Sequence, residues 1–447
     1  VLQLVRERLT LVLLALLPFH ALGVTFLTKL LAGPDQAPLA ALAVWKEALL
    51  AVILLIALVE IVRLRAYRPF DLLDGLILAF AAVAILVSIL NGVEQGPLLL
   101  GIRYDLVPLG AFVLLRRVPW TQRFPNLAAA VLMGAGAVVG GVALMSFFAP
   151  AALFRWLGYS DLHSLYVPGG PIAPFQLIGD SMIRRVQGPM SGPNQLGIWL
   201  LLPLSLLLLQ LFYKRTSASI AMAVLIGAGI LLSFSRSAWI AAVVVIVASL
   251  PKAAWKAKVV VPVACVLCCL AAVLLIAAPS VLLRAASSAG HIEKPVAAMR
   301  EMLVHPLGLG LGTAGPASNR SSDACVFLEE WADAAWASSH PELCVFAGEK
   351  QIQPTDRTCQ CPFLTENWYL QIGVEAGFLG MALFVLLILA LFKSLTRYPV
   401  VSLMLIGVSV AALFLHAWED AAVSYTVWIF AAVCLALRPR GAVGAGS

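Results

Sequence analysis

The chain has 447 residues, of which 62% are hydrophobic and only 12% charged, and its mean hydropathy is +0.97. This composition excludes a water-soluble globular domain, because apolar runs of about 20 residues mark membrane-crossing helices and such runs recur along almost the whole chain. The net charge of +7 does not imply nucleic acid, since the basic residues stand mostly in short stretches between the runs.

The N-terminal "VLQLVRERLTLVLLALLPFHALGVTFLTKLLAG" holds an apolar stretch too long for a signal-peptide core. It lacks a small-residue cleavage site and is expected to be a retained first helix, at about 9–31. Further spans are predicted near 38–62, 72–91, 98–115, 126–149, 194–213, 218–233, 236–250, 258–280, 367–392, 398–415 and 421–437, about twelve in all. Alternate loops carry Arg6 and Arg8, Arg63 and Arg65, Arg116 and Arg117, Lys214 and Arg215, Lys252 and Lys256, Lys393 and Arg397, and Arg438 and Arg440. The positive-inside rule then puts both termini in the cytoplasm. No internal repeat of the transporter kind is visible.

The expected architecture is an all-α polytopic membrane protein. Residues 1–280 form helices one to nine, with an outer segment at about 150–193. Residues 281–366 form a large extracytoplasmic loop domain, and 367–447 form helices ten to twelve and a tail. Cys325, Cys344, Cys359 and Cys361 lie in that loop domain, where two disulfides fit an oxidising compartment, in any of three pairings. Zinc is the alternative, with His340 as a further ligand, although C-x-C is not the usual zinc spacing.

Within "LLSFSRSAWIAAVV" stands Arg236, and a guanidinium at mid-membrane costs about 2.5–3.5 kcal/mol on insertion scales. The predicted orientation places it in a very short turn on the outer face. It either snorkels or caps a helix end, or it holds an anion at headgroup depth. In "SMIRRVQGPMSGPNQLGIWL", Arg184 and Arg185 precede a Gly/Pro turn, and Pro193–Asn194 reads as a helix start, where free N–H groups favour a negative ligand. Two arginine sites on one face point to a polyanion, with diphosphate the natural candidate.

The stretch "SSAGHIEKPVAAMREMLVHPLGLGLGTAG" reads as a polar turn, an amphipathic helix and a glycine-rich loop. Gly308, Gly310 and Gly312 are no Walker loop, because no Gly-Lys-Ser/Thr follows; a tight, flexible loop is expected. His291 is a candidate phosphate ligand or base, and His305 a structural residue. In "TENWYLQIGVEAGFLGM", Thr365 is expected to cap the tenth span, with Glu366 in its first turn, where the helix dipole favours an acid. Glu375 falls roughly 13 Å further along, within the membrane, and needs a partner or a pore. His416, Glu419 and Asp420 form another polar cluster near the same level.

Four segments resemble the O-antigen ligase and polymerase-like membrane glycosyltransferases: Arg185 before the turn and span at 188–197, "SFSRSAW" at 233–239, "HPLGLGLGTAG" at 305–315 and "ENWYLQIGVEAGFLG" at 366–380. The resemblance covers about the C-terminal two thirds. It implies a bacterial inner-membrane enzyme that moves a glycan from a polyprenyl (undecaprenyl) diphosphate carrier to an acceptor hydroxyl, on the periplasmic or extracellular side. The acceptor would be a glycan, lipid or protein, and membrane lipids the surroundings. Arg185 and Arg236 fall where the family's diphosphate-binding arginines fall, with Arg184 as helper.

Two departures stand out. Where many members have a third arginine, this chain has His291, with Arg284 and Arg300 nearby. Where many have His-Asn, it has Glu366-Asn367, so Glu366 is the favoured base, with His291 and His340 as the alternative imidazoles. Asn367, Tyr369 and Arg300 are supporting candidates. Direct displacement by the acceptor would invert the anomeric carbon. No Asp-x-Asp pair stands out on the outer face, so neither metal nor cofactor is expected. The alternatives are a polymerase using a second lipid-linked repeat as acceptor, and, from a different class, a lipid-linked glycan flippase, for which Lys46 and Glu47 in the second span would speak.

Overall fold

The computed structural model describes residues 1–34, 36–65, 69–160, 175–178, 183–213, 215–250, 285–328, 343–348 and 350–437. Helices dominate. Helix α1 (Leu2–Leu16) and α2 (His20–Ala32) are joined by a 3-10 turn at Leu17–Phe19, where Pro18 withholds the N–H that an unbroken helix needs. Then come α3 (Trp45–Leu64), α4 (Leu72–Leu90), α5 (Gln95–Gly101), a π turn (Ile102–Leu106) and α6 (Val107–Leu115). Pro108 cannot donate to the carbonyl of Tyr104, and the wide turn absorbs that loss. Helix α7 is Phe124–Phe148, followed by two short strands, β1 (Phe175–Leu177) and β2 (Arg184–Val186), paired antiparallel.

The second half comprises α8 (Pro193–Tyr213), α9 (Ser217–Leu232), α10 (Arg236–Ser249), α11 (Ala285–Val304), α12 (Gly315–Ser321), α13 (Trp368–Leu395), α14 (Pro399–Ala411) and α15 (Ala421–Ala436). Among the described residues, six helical stretches are long and apolar enough to cross a membrane: 2–32, 72–90, 95–115, 124–148, 193–212 and 368–395. Four more apolar helices, α9, α10, α14 and α15, are shorter. Helices occupy eleven of the twelve expected windows; the window at 258–280 lies outside the described residues.

Helix α8 is central, packed by α7, α9, α10 and α14. Glycines let these helices close in: a Cβ at Gly140 of α7 would lie 2.4 Å from the Leu225 carbonyl of α9, and one at Gly136 would lie 2.6 Å from Pro203 of α8. In lipid, such small-residue faces bring helices together by van der Waals contact.

The two ends of the bundle differ in chemistry. At one end, Arg6 donates to Glu60 at 2.7 Å, Arg116 grips Asp71 at 2.8 and 2.9 Å and also Asp74, and Arg117 pairs with Asp74 at 2.7 Å. Asp71 and Asp74 also form the capping box of α4. The arginines read as positive-inside signals at Arg6, Arg116 and Arg117 are therefore ion-paired brackets between helix ends. The opposite end carries β1–β2, α11, α12 and a three-stranded sheet of β3 (Cys325–Leu328), β4 (Cys344–Ala347) and β5 (Lys350–Gln353), in which β3–β4 is parallel and β4–β5 antiparallel. Disulfides Cys325–Cys361 and Cys344–Cys359 staple this sheet to the segment before α13. With all four sulfurs so joined, the zinc alternative loses its thiolates.

Candidate functional site

Strand β2 alternates its side chains, and that alternation separates its two arginines. Arg185 turns inward and is buried. Its Nη1 donates to Gln176 Oε1 at 2.9 Å, its Nη2 to Asn194 Oδ1 at 2.7 Å and its Nε to the Ser233 carbonyl at 3.1 Å. These acceptors come from β1, from the first turn of α8 and from the α9–α10 turn. Arg184 turns the other way and donates to the Ala149 carbonyl just past α7, at 3.2 Å. Its expected place as a helper at the same anion is therefore not where its side chain lies.

Arg236 opens α10 and is half-buried, three residues after the Ser233 carbonyl that Arg185 holds. Phe234 makes the sharp turn with φ +49, an uncommon conformation outside glycine. Ser235 and Ser237 share a hydrogen bond at 3.0 Å, and the Ser233 hydroxyl donates to Ile230. Gly197 of α8 presses on this turn, since a Cβ there would lie 2.6 Å from Ala238 and 3.0 Å from Ser233 Oγ. The structure thus brings the two arginine segments to one place.

Thr365 does not cap α13. Asn367 does, accepting from the Leu370 N–H at 3.0 Å and donating through Nδ2 to the Leu413 carbonyl. Glu366 adopts φ +51 and stands before the cap rather than in the first turn, so the dipole explanation fails. Its carboxylate swings to α11, where Lys294 Nζ lies 2.9 Å from Oε1 and His291 Nδ1 3.7 Å from Oε2. Burial opposes its ionisation, but the charge and hydrogen bond of Lys294, with a smaller contribution from His291, outweigh that and hold the carboxyl below the usual glutamate range. Tyr369 donates to the Ser409 carbonyl at 3.1 Å and belongs to the α13–α14 packing. Arg300 is exposed, nine residues beyond His291 and so half a turn round α11. His340 and Arg284 lie outside the described residues.

Glu375 finds a partner. Its Oε1 accepts from the backbone N–H of Gly312 at 2.9 Å and of Ala314 at 3.3 Å. The glycine-rich loop is therefore not slack but threaded into a break in α13 at Gly377. Leu309 N–H donates to the Val374 carbonyl and Gly310 N–H to the Glu375 carbonyl, both at 2.8 Å, and Phe378 N–H to the Pro306 carbonyl at 3.1 Å. Gly312 adopts φ +78, and a Cβ there would lie 2.0 Å from the Pro97 carbonyl oxygen. Only glycine meets both demands. The loop ties α13 to α4 and α5, and so fixes the height at which Glu366 and α11 sit.

Beneath Glu366 runs a second polar chain that the sequence only half revealed. His416 Nδ1 lies 2.5 Å from Gln371 Oε1, and Gln371 Nε2 donates to Glu419. Burial lowers the imidazole to about 4, so His416 is neutral at pH 7. Asp420 instead caps α15 through Ala422 and Val423. Lys294 was missed, although it lies one turn beyond His291 on the same amphipathic helix. Gln371 was invisible, since a lone glutamine in an apolar run announces nothing.

Helix α14 packs on α10 and on the start of α13, so the Arg185–Arg236 group and the Glu366 group share one end of the bundle with α14 between them. Compared with family models and with curated proteins, the chain matches none.

Proposed function

We propose that the chain is a membrane glycosyltransferase that transfers a glycan from a polyprenyl diphosphate to an acceptor hydroxyl, in the manner of the O-antigen ligases that its motifs resemble. The observation that carries this reading is the contact of Arg185 with the turn that bears Arg236. Two permanently charged guanidiniums sit together at one end of a membrane bundle, and Arg185 is fixed by amide and carbonyl oxygens.

Such a pair suits the charge that develops on a departing diphosphate. Charge-assisted hydrogen bonds from preset donors stabilise that charge without reorganising at the moment of reaction. Helix α10 has 14 residues and rises about 21 Å, short of the ~30 Å hydrocarbon core. With its other end at the opposite interface, α10 would leave the Arg236 turn recessed just below the lipid headgroups, within reach of a carrier's diphosphate drawn into the bundle. The acceptor hydroxyl must lose a proton, and Glu366, kept ionised by Lys294, is in the form that takes one; positioned bases are typically worth 10²–10⁴-fold. In-line attack inverts the anomeric carbon. The full set of about twelve spans, the periplasmic placement of this end and cytoplasmic termini belong to the same proposal. The acceptor would be a glycan, lipid or protein, with a lipid-linked repeat as the polymerase variant.

The test is incubation of the purified protein with a polyprenyl-diphosphate glycan and candidate acceptors, following release of the diphosphate lipid. Arg185→Ala and Arg236→Ala should abolish release while the protein still inserts and elutes as a folded species. Near-wild-type turnover in both variants would reject the assignment.

A further inference from the structure

A second cationic cluster lies on helices that the arginine site does not use. Glu47 of α3 receives Lys46 Nζ at 3.0 Å and Arg103 Nη2 at 2.6 Å. Lys46 also reaches the Ala43 carbonyl at 3.2 Å and His20 Nε2 at 3.3 Å. Arg103 and Arg320 of α12 both stand over the ring of Tyr104, each guanidinium carbon 5.7 Å from its centroid. Three cations therefore gather round one directly paired acid, Glu47. Of the neighbouring acids, Glu419 is buried and bonded to Gln371, and Asp420, which also feels Lys46, is committed to capping α15. Glu47 and Arg103 are each about one fifth exposed and Arg320 is exposed, so the cluster can be reached from outside.

Below it, in the apolar zone, lies a cavity of about 430 Å³ lined by Leu54 of α3, Ile77, Leu78 and Ala81 of α4, and Leu106 and Gly110 among others of the π turn and α6. Every lining residue is apolar, and Leu78 is exposed, so the cavity opens on the lipid-facing flank. Cluster and cavity share two helical stretches, α3 and the π turn with α6. Leu54 is seven residues, two turns, beyond Glu47, about 10 Å along the axis. Leu106 and Gly110 follow Arg103 by three and seven residues on the same continuous helical stretch, the π turn and α6. A cationic rim set one headgroup above an apolar groove has the chemistry of an anionic lipid: phosphate above, hydrocarbon chain below.

The geometry points to a binding site for an anionic phospholipid of the surrounding leaflet, its phosphate held by Lys46, Arg103 and Arg320 and one chain lying in the groove between α3, α4 and α6. The site shares no side chain with the Arg185–Arg236 group and does not depend on the transferase reading. Gly110 supplies a clean probe, because a Cβ added there meets nothing within 4 Å. Leucine at that position starts from an unobstructed Cβ, adds apolar bulk to the groove and raises helix propensity. Arg320 is an exposed cation whose removal leaves the Glu47 pairs intact.

The experiment is native mass spectrometry of the protein in neutral detergent, titrated with phosphatidylglycerol and, separately, with phosphatidylcholine of the same chain length. Wild type is expected to retain phosphatidylglycerol about tenfold more tightly, the effect of one charge-assisted contact. Arg320→Ala should remove most of that preference, and Gly110→Leu should weaken the retention of both lipids. Arg236→Ala should change neither. Equal retention of the two lipids by wild type overturns the inference. So does wild-type retention of phosphatidylglycerol in both Arg320→Ala and Gly110→Leu, and so does a loss confined to Arg236→Ala, which would place the lipid at the other arginine site.

Discussion

Glu375 separates two reasons for keeping an acid inside a membrane helix, its charge and its ability to accept hydrogen bonds. It is fully buried, and its Oε1 takes two backbone N–H groups of the glycine-rich loop, one at 2.9 Å and one at 3.3 Å. Glu375→Ala strands both donors in an apolar interior. At about 1–3 kcal/mol for each unsatisfied buried group, with the longer bond counting for less, the loss should be about 2–4 kcal/mol. Glu375→Gln keeps the carbonyl that accepts from Gly312 and Ala314. It also turns an amide toward Asp105, a buried acid that shares a side-chain hydrogen bond with Glu375, and an amide can donate there without a second carboxyl charge. The amide variant should be at least as stable as wild type. The assay is the thermal unfolding midpoint of both variants in detergent, with protease cleavage in 305–315 as a local readout. Wild-type stability in Glu375→Ala, or equal damage in the two variants, would refute the loop-clamp reasoning.

Three further outcomes are expected. Lys294→Ala removes the nearest cation from Glu366, so burial prevails and the carboxyl titrates at higher pH. Wild-type transfer should persist as pH falls through the ordinary glutamate range, near 4.3, whereas the acid limb of Lys294→Ala should begin above it; coincident pH profiles would refute the pairing. The same linkage makes the stability from Glu366 full above its unfolded pKa and lost as pH falls through its lowered folded one. Glu366→Gln should slow transfer more than it weakens donor retention, by at least about a hundredfold in rate, and a loss of retention with unchanged turnover would move the base elsewhere. Non-reducing peptide mapping should recover Cys325–Cys361 and Cys344–Cys359. Reduction of the second bridge, which closes a 15-residue separation, should cost the small sheet about 3 kcal/mol, read as faster proteolysis within 325–361.

Much of the bundle was legible because a membrane allows the chain few choices. Backbone polar groups without water must bond within their own segment, so an apolar run of sufficient length has to be a helix. Arg236 was equally legible, because a cation in such a run needs a reason. The caps were harder to read. Thr365 and Asn367 are both good N-caps in sequence, and the choice fell to Asn367 because Glu366 takes a left-handed turn to reach Lys294, 72 residues away. The glycine-rich loop looked slack because glycine alone carries no binding signal. Its rigidity comes from a break in a helix some 65 residues later in the chain.

The sequence by itself determined where apolar helices form, which polar residues stand out against them, and that four clustered cysteines would pair. Propensity, hydropathy and local charge fix those features within a few turns of chain. Only the tertiary structure decided which outliers meet: Arg185 with the turn of Arg236, Glu366 with Lys294, Glu375 with Gly312, and Arg103 with Glu47 above an apolar groove. Those meetings depend on how helices distant in sequence pack side by side, and pairing energies act across space, where spacing along the chain carries no record of them.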